Sequence, residues 1–87
     1  MASYKIQWKH SAEKELRGID RQLISRILSA IESLAVEPYP TQHRKLQGSE
    51  SSFRIRIGDY RVIYQVDTEN KVILIYHVRH RKDIYRK

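Results

Sequence analysis

The sequence predicts an α+β fold of two layers, two N-terminal helices packed on an antiparallel sheet, in the order β-α-α-β-β-β with room for one extra short strand. Three observations carry this. The stretch "SSFRIRIGDYRVIYQV", Ser51 to Val66, alternates with period two on both sides of Gly58-Asp59, the pattern of two half-buried strands joined by a tight turn. Leu23, Ile24, Ile27, Leu28, Ile31, Leu34 and Ala35 recur at three- and four-residue spacing, which marks an amphipathic helix of about four turns. With 87 residues and 40% hydrophobic content, the chain is expected to form one domain, residues 1–87, around a small core.

The elements follow in order. "YKIQWK" sets Tyr4, Ile6 and Trp8 against Lys5, Gln7 and Lys9 and reads as a strand. Ser11 is the expected N-cap of a short helix, Ala12 to about Ile19, with Glu13 and Glu15 in its first turns. Asp20 is the expected N-cap of the long helix, which "EPYP" ends because proline removes a donor and restricts the residue before it. "TQHRKLQGSES" reads as a loop with room for a short edge strand at Arg44–Gln47. Strands are expected over Ser52–Ile57, Tyr60–Val66 and Val72–Val78. Glycine at the first turn position suits a two-residue type II′ hairpin, and "DTENK" makes a looser second turn. Phe53, Ile55, Ile57, Tyr60, Val62 and Tyr64 then face the helices, leaving Arg54, Arg56 and Arg61 on the outer face.

Charge is unevenly placed. Residues 1–40 carry six Lys/Arg against five Asp/Glu; residues 41–87 carry eleven against five, so most of the net +7 lies in the second half. A balanced half and a basic half fit a scaffold plus a polyanion-binding surface. There are no cysteines, which excludes a disulfide framework and fits a reducing cytoplasm. The N-terminus has no apolar core of a signal peptide, and "VILIY" is far too short to span a membrane, so no membrane role is expected. No glycine-rich phosphate loop, metal-spaced His/carboxylate cluster or carboxylate pair on the basic face is visible; neither metal nor other cofactor is expected.

A two-residue turn pairs Ile57 with Tyr60, Arg56 with Arg61 and Ile55 with Val62. Opposed arginines have Cβ atoms about 5 Å apart, and like charges there destabilise a sheet. Folding alone does not select that pairing; a multivalent anion does, and the planar fork of arginine suits phosphate. A second turn that sets Arg61 beside His77 would continue the face through His77, Arg79 and Arg81. It would also leave Ile63, Ile73 and Ile75 beside the arginines as an apolar surface for a partner. The tail "RHRKDIYRK" adds basic residues interleaved with His80 and Tyr85, a pattern suited to stacking on an RNA base.

"KLQG", "FRIRIGDYRVIYQV" and "HRKDIY", in that order after two helices, resemble the RelE/ParE superfamily of toxin–antitoxin toxins over nearly the whole chain. The resemblance implies a cytoplasmic toxin and a metal-independent endoribonuclease. Such RelE-type toxins cut messenger RNA in the ribosomal A site by attack of a 2′-OH on the adjacent phosphate. The implied partners are a RelB-like antitoxin, in an oligomeric complex, together with messenger RNA and the ribosome. The alternative is a ParE-type inhibitor of DNA gyrase without nuclease chemistry. By position, Arg61 matches the arginine that stabilises the scissile phosphate, Arg81 the one assigned to the leaving 5′-oxygen, and Tyr85 the tyrosine that orients the nucleotide. Arg54 and Arg56 stand where RelE commonly has lysines. Arginine is not deprotonated in proteins, so neither is a general base. His77 and His80 are the candidate bases; the alternative is no strong protein base, with substrate positioning and electrostatic stabilisation of the phosphate carrying the rate. Arg44, Lys45, Arg79, Lys82 and Arg86 are the expected RNA-backbone contacts.

Overall fold

The computed structural model describes residues 3–40, 43–45, 51–80 and Lys82. Strand β1 (Lys5–Trp8) runs almost directly into helix α1 (His10–Arg17), and helix α2 (Arg21–Leu34) follows. Strands β2 (Arg44–Lys45), β3 (Ser52–Ile57), β4 (Tyr60–Asp67) and β5 (Val72–His80) complete the described elements. They form a sheet in the order β1-β5-β4-β3-β2. The β2–β3, β3–β4 and β4–β5 pairs are antiparallel, as expected, and β2 is the extra short strand. The β1–β5 pair is parallel, Lys5 opposite Val72 and Trp8 opposite Ile75, so the sheet is mixed. A parallel partner needs a long crossover, which the two helices supply.

Helix α1 starts earlier than the sequence suggests. Lys9 N still donates to the Ile75 carbonyl at 2.9 Å, as a strand residue would, while the Lys9 carbonyl accepts from Ala12 N at 2.9 Å and Glu13 N at 3.2 Å. Lys9 is therefore the N-cap, without a side-chain bond, and Ser11 falls inside the first turn. Gly18 ends the helix, leaving Ile19 buried in the link. Helix α2 keeps its expected cap: Asp20 Oδ1 accepts from Gln22 N at 3.1 Å. Its buried stripe is Ile27, Ile31 and Leu34, at four- and three-residue spacing.

That stripe and Ala12 close over Ile55, Val62, Tyr64, Ile73, Ile75 and Val78 on the sheet. Tyr64 is the largest fully buried side chain, and its hydroxyl donates to the Pro38 carbonyl at 2.7 Å. Burial pushes its phenol well above the usual tyrosine range.

The first hairpin forms as the sequence predicts. Gly58 has φ 59° and Asp59 no positive φ, which fits a type II′ turn, and Arg56 lies opposite Arg61. In the second turn Asp67 Oδ1 accepts from Glu69 N and Asn70 N, both at 3.1 Å. Hydrogen bonds from Asn70 and Glu69 hold its carboxyl below the usual range.

Strand β5 departs from the expected register. Ile63 lies opposite His77, but Tyr64 lies opposite Ile75, so Tyr76 is an extra residue in a β-bulge. Arg61 consequently pairs with Arg79, not with His77. Ile73 and Ile75, expected on the outer face, have 0% exposure and belong to the core. The bulge resets the alternation, so Ile73, Ile75 and Val78 all face the helices although their spacing is two and then three.

Tyr64→Phe deletes the donor that meets the buried Pro38 carbonyl. Urea unfolding should show a loss of about 1–2 kcal/mol with unchanged secondary structure.

Candidate nucleic-acid interface

The outer face of the sheet is built from two rows of side chains that cross the strands. In one row Arg56 of β3 lies opposite Arg61 of β4, which lies opposite Arg79 of β5. In the next, Arg44 of β2 lies opposite Arg54, Arg54 opposite Ile63, and Ile63 opposite His77. Residues directly opposite are about 5 Å apart at Cβ, and the rows are about 6.7 Å apart along the strands.

Arg44, Arg54, Arg56 and Arg61 together line a cavity of about 250 Å³. Among the described residues each lining side chain is a guanidinium, so an anion entering the cavity meets several donors. Two donate partly to the backbone, Arg56 Nε to the Gly58 carbonyl at 3.2 Å and Arg61 Nη1 to the Tyr60 carbonyl at 3.4 Å.

Arg79 is held differently. Its Nε donates to Glu15 Oε2 at 2.8 Å. The other oxygen of that carboxylate accepts from Val78 N at 3.2 Å and lies 3.3 Å from His77 Nδ1. Glu15, on α1, reaches this edge because β1 stops pairing with β5 before it gets there.

Thus Arg54, Arg56, Arg61, Arg79 and His77 share one face, and β2 brings Arg44 to it. Lys45 does not join them: it lies opposite Phe53, a core residue, and strand alternation turns it to the other face. Nor does His80. It lies opposite Tyr60, with the rings edge to face at 5.3 Å, on the helix side of the sheet two residues beyond buried Val78. There it helps line a cavity of about 390 Å³ with Glu15, Gly18, Ile19, Tyr60, Val78 and Arg79. His80, the second candidate base, thus lies across the sheet from the arginine row. Lys82 N donates to His80 Nδ1 at 3.2 Å. Arg81, Tyr85 and Arg86 lie outside the described residues.

Two contributors escaped the sequence reading. Glu15 looked like a helix-start acid, since nothing local ties it to residues more than sixty positions away. Tyr76, set outward by the bulge, donates to Gln65 Oε1 at 3.2 Å and carries the Lys9 ammonium 5.2 Å from its ring centre.

The family described as ParE toxin of type II toxin–antitoxin system, parDE, matches residues 6–85. The chain is similar to toxin RelG of Mycobacterium tuberculosis, with 27% identity over 85 residues, 97% of this chain and 98% of the relative. It is also similar to a chain of the archaeal RelE–RelB complex from Pyrococcus horikoshii, with TM-score 0.82, 31% identity, and 98% and 99% of the two chains covered. The isolated RelE toxin of E. coli shares the fold, with TM-score 0.80 at 22% identity over 90% of this chain and 84% of that one.

The row predicts opposite effects for its two ends. Arg56→Ala removes a like charge opposite Arg61 and should leave the melting temperature unchanged or raise it slightly, by a few tenths of a kcal/mol. Arg79→Ala removes the guanidinium from Glu15 and should lower stability by roughly 0.5–1 kcal/mol, a few degrees in a thermal melt.

Proposed function

The chain belongs to the RelE/ParE superfamily of toxins of type II toxin–antitoxin systems, and from that premise we propose that it acts as an endoribonuclease that cuts messenger RNA on the ribosome. The observation that carries this is the arginine row Arg56–Arg61–Arg79 with the cavity that Arg44, Arg54, Arg56 and Arg61 line beside it. Guanidinium groups around one small cavity suit phosphate bidentately and match the negative charge that grows in phosphoryl transfer.

The reaction is an in-line displacement. The 2′-oxygen of one ribose bonds to the adjacent phosphorus as the bond to the 5′-oxygen breaks. The 2′-OH proton leaves to a base, and the 5′-oxygen gains a proton. Negative charge grows on the non-bridging oxygens, and Arg61, flanked in the row by Arg56 and Arg79, is set to donate to them. Arg54 and Arg44 hold the neighbouring phosphate. Arg81 is proposed to serve the leaving oxygen and Tyr85 to orient the nucleotide. Of the two candidate bases His77 is the better placed, since it shares the arginine face. Lys82 and Arg86 add backbone contacts near the tail.

Control by an antitoxin is part of the same reading. The relative from P. horikoshii was solved with its RelB partner. Here Ile63, Val72 and Leu74 lie on the arginine side of the sheet, so a partner segment with an apolar stripe and acidic residues fits both surfaces. Gyrase inhibition is the second reading, favoured by the ParE family match.

Brief expression with mapping of RNA ends, alongside a supercoiling assay, separates the two readings. Cuts within translated codons support the nuclease, and gyrase inhibition without cuts overturns it. In single-turnover reactions on programmed ribosomes, Arg61→Ala should slow cleavage at least about 100-fold while the protein stays folded.

A further inference from the structure

We propose that Glu15 is a positioning residue for the cleavage site, clamping Arg79 and His77 through one carboxylate. The inference rests on the endoribonuclease reading above.

Three consecutive residues of β5 meet this one side chain. Val78 N donates to Oε1 at 3.2 Å, His77 Nδ1 lies 3.3 Å from the same oxygen, and Arg79 Nε donates to Oε2 at 2.8 Å. On this edge Lys9 N donates to the Ile75 carbonyl at 2.9 Å. Among the described residues β1 pairs with β5 only as far as Ile75, and beyond it the carboxylate accepts from Val78 N as a neighbouring strand would. A purely structural clip needs a single acceptor for Val78 N, which a glutamine supplies. The second oxygen, matched to a guanidinium of the arginine row, goes beyond that need.

Its effect on each partner follows from their chemistry. A long arginine side chain loses rotamer freedom when it grips a ligand. Arg79 has lost part of that freedom already, and its two terminal nitrogens are donors beyond the Nε that Glu15 holds. With Nδ1 directed at Glu15, the imidazole of His77 keeps Nε2 for a proton transfer, the arrangement of a base oriented by a third group. A carboxylate also opposes binding of a polyanion, so Glu15 should act on the rate of the chemical step and not on RNA affinity.

Glu15→Gln tests this, because its amide oxygen still accepts from Val78 N while its NH₂ cannot accept from Arg79. The expected result is a folded protein whose melting temperature falls by no more than Arg79→Ala lowers it, since both changes break the same ion pair. Single-turnover cleavage on programmed ribosomes should fall about 10-fold, with no weaker binding to the ribosome. Added to Arg79→Ala/His77→Gln, the same change should alter the remaining rate less than about twofold, since its targets are gone. A Glu15→Gln rate equal to that of the unaltered protein overturns the inference, as does a full further loss in the double background. If Glu15→Gln does not fold, Glu15→Asp, which keeps the charge but withdraws it by one methylene, is judged by the same two criteria. Absence of cleavage by the unaltered protein overturns the endoribonuclease reading itself, which is a different result.

Discussion

One inserted residue, Tyr76, decides which side chains of β5 face which way. Below it, Ile73 and Ile75 enter the core; above it, Val78 does the same although it is three residues on. Strict alternation from Ile75 would place His77 on the core face and Val78 outside. The bulge places both apolar blocks inside, sends His77 and Arg79 outward, and brings Arg79 level with Arg61. The arginine row thus depends on a local defect in the ladder. The two-residue turn at Gly58 then fixes the other half of the row by setting Arg56 opposite Arg61.

The row concentrates like charge where the sheet gains nothing from it. Stability comes from the opposite face, where Ile27, Ile31 and Leu34 cover Val62, Tyr64, Ile73 and Ile75. That division lets one face carry repulsion of a few tenths of a kcal/mol per opposed pair without unfolding the domain. Glu15 relieves it at the Arg79 end, where its carboxylate also accepts from Val78 N. Arg44, Arg54, Arg56 and Arg61 line the cavity at the other end.

Much of this was legible in the sequence, for reasons specific to each element. Helix α2 declared itself through its stripe and its Asp20 cap, both local signals. The first hairpin register followed from Gly58-Asp59, since a two-residue turn leaves one pairing. Ser11 misled because a favourable capping residue lay two positions beyond the point where the strand's own backbone starts the helix. The bulge was hidden because "VILIYHV" is apolar at nearly every position and fits either phase of alternation. The parallel partner of β5 and the reach of Glu15 are tertiary facts, and no short window of sequence contains them.

The central claim is that the row is a site for a multivalent anion and not a surface that merely tolerates charge. Melting temperature measured in pyrophosphate and in sodium chloride at matched ionic strength tests it most directly, with Arg61→Ala beside the unaltered protein. Binding to the folded state alone should raise the melting temperature in pyrophosphate by about 4 °C or more beyond the chloride control. Most of that excess should vanish in Arg61→Ala. Equal shifts in the two salts, or the same excess with and without Arg61, would contradict the account.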